Sequence, residues 1–202
     1  MIIVRPPVFV RAFYKDLIWN SGEKKNILHL TFDDGPIPEV TPQVLDLLKV
    51  YNAKATFFCI GRNVKDHPEI FQRIINEGHS IGNHSFNHLN GWQTDNKTYF
   101  ENIEQCQQLV NSKLFRPPYG RIKRSQINVL KQKYKIIMWD VLSWDFNQGL
   151  SARQCTNYVL KNVKPGSIVV FHDSIKAKER MFPALEKTLE RFSAENWEFR
   201  GL

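Results

Sequence analysis

The chain has 202 residues, 42% of them hydrophobic and 12% aromatic, with 28 lysines and arginines against 20 acidic residues for a formal charge of +8. That length supports one substantial core, and no apolar run spans a bilayer while no linker, low-complexity tract or repeat divides the chain. The positive charge is scattered over positions such as Lys131, Lys133, Lys135, Lys176 and Lys178, without a basic helix or an aromatic-interleaved RNA motif, so no nucleic-acid partner is expected.

The opening stretch MIIVRPPVFVRAFYKDLIW is apolar in patches, but Arg5, the Pro6-Pro7 pair, Arg11 and Lys15 interrupt it before a signal-peptide core forms. The expected location is therefore cytoplasmic, with association to the cell envelope as the alternative. Residues 1–25 read as an N-terminal extension packed on a domain covering 26–202. Within that domain, strand-like runs alternate with segments of helical periodicity. The expected strands are ILHLTF (27–32), ATFFCI (55–60), HSIGN (79–83), LFR (114–116), YKIIMWD (134–140), SIVVFH (167–172) and the terminal WEFRGL. Between them lie VTPQVLDLLKVY, PEIFQRIINEG, NKTYFENIEQCQQLVNS, RSQINVLKQK, SARQCTNYVLKNV and MFPALEKTLERFSAEN. Gly78 and Pro165-Gly166 break two of these segments from the strands that follow. Seven strands alternating with six helices predict a parallel sheet, either closed into a barrel or left open and doubly wound. Cys59, Cys106 and Cys155 have no metal-type spacing and read as reduced, structural thiols.

In parallel α/β folds, the loops leaving the carboxyl ends of the strands converge on one face. Asp33 and Asp34 leave the first strand in LTFDDGP. His84 and His88 leave the third in GNHSFNH, and Arg116 leaves the fourth, followed by Pro117-Pro118-Tyr119-Gly120. Asp140, Trp144 and Asp145 follow the fifth, and His172 and Asp173 end the sixth. Two histidines with three residues between them, at i and i+4, face one ion if the intervening turn is helical, and a rim carboxylate from Asp33 or Asp34 completes a common divalent-metal set. The aspartate left over is then available as a general base, with Arg116 to hold it ionised. His172 can give a proton to a leaving group, its imidazolium form stabilised by Asp145. Together these groups point to metal-assisted hydrolysis of an acyl bond.

TFDDGP, HSFNH, RPPYG, the DVLSWDF segment and the IVVFHD segment, in that order, resemble the motifs of the polysaccharide deacetylases: the NodB-homology group, carbohydrate esterase family four. The resemblance runs from Ile27 to Leu202. It implies a distorted, incomplete (β/α) barrel with about seven parallel strands, and one divalent ion, zinc first, with cobalt or another ion as alternatives. It implies Asp33 as general base, Asp34, His84 and His88 as metal ligands, Arg116 as the tether of the base, His172 as general acid and Asp145 as the group that tunes it. Among substrate-binding residues it implies the Tyr119 backbone N–H at the oxyanion beside Pro118, with Trp144 and Val170 walling a pocket for the acetyl methyl group.

The sequence departs from the family's usual pattern at three places: Leu142 stands where an Asp is frequent, Phe146 where a Trp is expected, and Val170 where a Leu is common. The expected partner is an acetylated glycan, read first as N-acetylglucosamine units of peptidoglycan or a chitin-like glycan. The alternatives are an O-acetyl xylan esterase and a non-catalytic, metal-bearing carbohydrate-binding protein. The acid–base pair Asp33 and His172 separates catalysis from binding, because binding alone does not need it.

Overall fold

The computed structural model describes residues 2–202. After the short helix α1 (Val8–Phe13), the chain runs β1 (Ile27–Asp33), α2 (Thr41–Val50), β2 (Ala55–Cys59), α3 (Gly61–Asp66), α4 (Pro68–Asn76), β3 (Ser80–Asn83) and α5 (Asn96–Val110). It continues through β4 (Leu114–Phe115), a 3-10 turn (Pro118–Gly120), α6 (Arg124–Leu130), β5 (Lys135–Ile136), β6 (Val141–Leu142), α7 (Ala152–Asn162), β7 (Ile168–His172), α8 (Lys178–Ala194) and β8 (Glu198–Phe199). Seven strands form a curled parallel sheet in the order β5-β4-β3-β2-β1-β7-β6, and β8 pairs beside β1 at its start. β5 and β6 do not meet, so the result is the incomplete barrel expected.

β1 sits between β2 and β7, and every one of its residues is buried. A strand covered on both faces needs a continuous apolar run, which Ile27, Leu28, Leu30 and Phe32 provide. Phe32 stacks between Phe57 of β2 and Phe171 of β7, with centroids 5.0 and 6.0 Å away. The helices start where local chemistry satisfies their free N–H groups. Asp95 caps α5 by accepting from the Thr98 N–H at 3.0 Å, and Ser151 and Gln154 form a reciprocal capping box on α7. Pro68 opens α4, where its missing N–H costs nothing.

Two expectations need correction. The stretch 134–140 is not one strand: β5 ends at Ile136, because the Met138 N–H pairs with the Ile18 carbonyl of the N-terminal segment at 2.7 Å. Asp140 is not a rim residue either. β6 runs parallel to β7 with Val141 opposite Val169, which sets Asp140 beside the start of β7. There it accepts from the Ile168 N–H at 2.8 Å and the Ser167 hydroxyl at 2.9 Å, with Arg5 Nη2 at 3.2 Å. Cys59, Cys106 and Cys155 are buried and free.

Residues before β1 run along the gap between the sheet's two ends. The Val4 carbonyl receives the Leu142 N–H at 2.9 Å on the β6 side, and Ile18 bridges to Ile137 beside β5. Asn20 bridges to Ser167 at the start of β7. No helix among the described residues is long and apolar enough to cross a membrane.

Candidate active site

The carboxyl ends of the strands bring together the residues singled out by their motifs. Asp33 ends β1 and His172 ends β7, and the two are register partners across the parallel pair. Asp33 is buried against Arg116, whose Nη1 donates to its Oδ1 at 2.7 Å. Arg116 itself has no solvent exposure, and it makes three further hydrogen bonds. Nη1 also reaches the Thr31 hydroxyl at 2.7 Å, Nη2 the Met138 carbonyl at 2.9 Å and Nε the Ile137 carbonyl at 3.3 Å. Its guanidinium lies 4.1 Å from the Phe58 ring centroid. A buried cation held this way has one rotamer, and it fixes the carboxylate with it. Burial works to raise the pKa of Asp33, but Arg116, with the nearby His84 and His172, outweighs it and holds the group below the usual carboxylate value.

Asp34, next in the chain, has a different environment. His88 Nε2 lies 3.4 Å and His84 Nε2 4.0 Å from its Oδ1. The three residues offer one ligand atom each, all within 4.8 Å of one another. Asp34 Oδ1 is buried without a hydrogen-bond partner, an arrangement that costs free energy unless something else satisfies it. His84 Nδ1 meets the Arg116 carbonyl at 2.8 Å, which turns Nε2 toward Asp34 as a lone-pair donor. Burial lowers the pKa of both imidazoles, that of His88 to about 4, and raises that of Asp34 against the pull of His172 and His88. Neutral imidazoles are the form that ligates a metal. Two imidazole nitrogens and one carboxylate oxygen, the last an unsatisfied buried acceptor, suit one divalent cation.

The histidines converge without a helical turn, contrary to the expectation from their spacing. Residues 84–90 form a loop in which Ser85 and His88 have φ of 60° and 57°. Asn102 of α5 holds it, accepting at Oδ1 from the Phe86 N–H at 3.0 Å and the Asn87 N–H at 2.9 Å. Asp34, Tyr119 and Trp144 also have positive φ, at 87°, 60° and 61°, so five left-handed residues other than glycine gather at this rim. Such conformations are unfavourable for most side chains and concentrate where function demands them.

On the far side, His172 Nδ1 pairs with Asp145 Oδ1 at 2.7 Å, and the His172 N–H donates to Asp145 Oδ2 at 2.8 Å. Burial opposes the imidazolium, but Asp145, then Asp34 and Asp33, raise its pKa to about 9. Phe146 stands edge-on to the His172 ring, 4.9 Å between centroids. Tyr119 is exposed and packs against His88 at 4.5 Å, while Pro118 is buried beneath it. Val170, Leu142 and Trp144 face the same cleft as Asp33 and His172. The Trp144 indole also donates to the Ile3 carbonyl at 3.0 Å, so it is tied to the N-terminal segment as well.

The sequence profile of the family described as Polysaccharide deacetylase matches residues 20–134, more than half the chain. The chain belongs to the polysaccharide deacetylase family. Among curated members, a peptidoglycan-N-acetylglucosamine deacetylase of Bacillus cereus is 39% identical over 178 residues, covering 81% of this chain and 64% of that protein. Another of the same description from that organism is 36% identical over 196 residues, covering 90% of this chain and 88% of the relative. The crystal structure of the Bc1960 peptidoglycan N-acetylglucosamine deacetylase superposes with a TM-score of 0.88 at 34% identity, covering 98% of this chain and 95% of that one.

Around these groups stand Asp173, already placed at the rim by its motif, and several residues that motif reading did not single out. Thr31 lies two residues before Asp33 on the same strand face, and that period-two spacing was the available signal. Asp173 lies beneath the Asp34–Gly35 turn, accepting from the Gly35 N–H at 3.0 Å and the Thr41 hydroxyl at 2.5 Å. Asn63 Nδ2 donates to the Asp34 carbonyl at 2.7 Å, and Arg180 Nε to the Asp145 carbonyl at 2.7 Å. Asn102, Asn63 and Arg180 come from helices distant in sequence, and nothing in their spacing marks them. His29 and His79 serve the fold: His29 Nδ1 faces the Arg200 carbonyl at 3.0 Å, and His79 Nδ1 accepts from the Ala55 N–H at 3.2 Å.

Proposed function

We propose that this chain is a metal-dependent hydrolase that removes acetyl groups from a glycan, acting on the carbon–nitrogen bond of N-acetylglucosamine units in peptidoglycan or a chitin-like polymer. The observation that carries the reading is the division of labour between adjacent aspartates: Asp33 is paired with Arg116, and Asp34 faces two neutral imidazoles. The relatives described as peptidoglycan-N-acetylglucosamine deacetylases support the choice of substrate. The catalytic domain in this reading is 26–202, with 1–25 as an extension packed on it, and the substrate is met at the cell envelope.

Asp34, His84 and His88 would hold one divalent cation, with zinc favoured by the donor set. Such an ion supplies Lewis acidity, polarising the acetyl carbonyl and acidifying water. Asp33, its Oδ1 engaged by Arg116, accepts the proton of the attacking water at Oδ2. The Tyr119 N–H, next to Pro118, stabilises the negative oxygen of the tetrahedral intermediate. His172 donates a proton from Nε2 to the amine nitrogen as the carbon–nitrogen bond breaks, while Asp145 at Nδ1 fixes its orientation. Val170, Leu142 and Trp144 wall the space for the acetyl methyl group. Water is consumed, and acetate and a free amine leave.

The test is acetate release from chitin oligomers, peptidoglycan and acetylated xylan, with zinc or cobalt supplied. Release is expected from the N-acetylated glycans, to be lost on chelation and reduced about 100-fold or more by Asp33→Asn and by His172→Ala. Activity that survives chelation or both substitutions contradicts the mechanism. Release confined to xylan contradicts the substrate class.

A further inference from the structure

Asp34 is held differently from the other charged groups of the site. Arg116 fixes the Asp33 carboxylate and Asp145 pairs with His172, but Asp34 Oδ1 is buried with no hydrogen-bond partner. Its aim at His84 and His88 therefore comes from its backbone, held at an unfavourable φ of 87°. One residue grips the peptide groups on both sides of it. The Asp173 N–H donates to the Asp33 carbonyl at 3.1 Å, and Asp173 Oδ1 accepts from the Gly35 N–H at 3.0 Å. Asp173 is fully buried, and the partners of its carboxylate are uncharged: the Gly35 N–H and, at Oδ2, the Thr41 hydroxyl at 2.5 Å. Thr41 accepts in turn from the Ile37 N–H at 2.8 Å, so the first residue of α2 braces the carboxylate from behind. A Cβ on Gly35 would overlap Asp173 Oδ2, so the side chain packs directly against the turn. A buried carboxylate with uncharged partners is costly compared with an apolar side chain of similar volume, and what this one secures is the shape of a single turn. Its two oxygens engage that turn and Thr41, whereas the adjacent His172 is oriented by Asp145.

We propose, resting on the metal reading above, that Asp173 is a positioning residue for the ligand Asp34. It fixes the Asp33–Gly35 turn so that the Asp34 carboxylate meets the same ion as His84 and His88. Its part in the reaction is indirect: it acts through the Gly35 N–H, and Thr41 keeps its carboxylate in place.

The experiment measures zinc affinity by competition with a chromophoric chelator, and the visible absorption of the cobalt-loaded protein. It compares the wild type with Asp173→Ala, Asp173→Asn and Thr41→Val, each checked for folding by thermal melting. Asp173→Ala should weaken zinc by about tenfold or more, the usual scale for a group that orients a metal ligand. It should also alter the cobalt spectrum, which reports ligand geometry. A role in folding alone would lower Tm and move neither. Asp173→Asn still offers an oxygen to the Gly35 N–H, so its zinc affinity should stay within about threefold of the wild type. Thr41→Val frees Oδ2 but leaves Oδ1 on Gly35, and should fall between the two. Wild-type zinc affinity and an unchanged cobalt spectrum in folded Asp173→Ala, or in Thr41→Val if Asp173→Ala does not fold, overturn the proposal. So does an Asp173→Asn as weak as the alanine variant, because charge rather than the bond to Gly35 would then be acting. The expected order of zinc affinities without acetate release from any glycan would sink the deacetylase reading and leave the positioning role standing. Acetate release with zinc affinity untouched in Asp173→Ala does the reverse, and a wild type that binds neither metal overturns both.

Discussion

Asp33 and Asp34 have different neighbours, Arg116 for one and two imidazoles for the other, and the roles proposed for them follow from those neighbours. The same holds for His172. Its pKa of about 9 lies above the ordinary 6.5, so the paired imidazolium contributes stability that is full below about pH 6.5 and lost as the pH rises through about 9. The proposed acid is protonated over the same range. Asp145→Asn removes the main group holding that proton against burial. The alkaline limb of the kcat/KM profile should therefore move down by about one unit or more. A limb that stays in place would mean that another group sets it. The pairing of Asp145 with His172 and of Arg116 with Asp33 was legible in the motifs, because each motif carries one partner. The Met138 and Ile137 carbonyls that complete the Arg116 shell were not, since backbone acceptors leave no mark on residue identity.

Among the elements, the long ones could be read directly: β1, β2, β7, α2, α4, α5, α7 and α8 are buried runs or amphipathic periods with punctuated ends. β4, β5 and β6 have two residues each, and their register comes from the neighbouring strands rather than from any period of their own. The loop after β3 shows the limit most clearly. Its histidines were visible, but the spacing suggested a helical turn, whereas the shape comes from Asn102 on α5 and from left-handed Ser85 and His88. Asn102→Ala leaves the Asn87 N–H without that acceptor, at a cost of about 1–3 kcal/mol in chemical denaturation. Because the same loop carries two candidate ligands, zinc affinity should fall by about tenfold. Unchanged zinc affinity would show that the loop keeps its shape without Asn102.

At the scale of the whole molecule, alternation of strands and helices identified a parallel sheet, and the family resemblance identified its incomplete closure. How the gap is filled was not legible. Val4 and Ile18 pair with opposite edges of the sheet through backbone groups, and a stretch interrupted by Pro6-Pro7 gives no strand signal. An ion held by Asp34, His84 and His88 ties β1 to the loop after β3 and should stabilise the molecule as a unit. At a free zinc concentration of 100 times Kd, binding contributes about 2.7 kcal/mol, or about 5–10 °C in Tm for a chain of this size. Scanning calorimetry should show that rise in the wild type, reversal by chelator, and no rise in Asp34→Asn.

The most direct measurement compares zinc content and acetate release in Asp33→Asn and Asp34→Asn. Asp33→Asn should bind one zinc per chain as the wild type does and lose about 100-fold or more in kcat, whereas Asp34→Asn should lose the zinc itself. If Asp33→Asn hydrolyses at the wild-type rate, or Asp34→Asn retains full zinc, the two aspartates do not divide the work in this way.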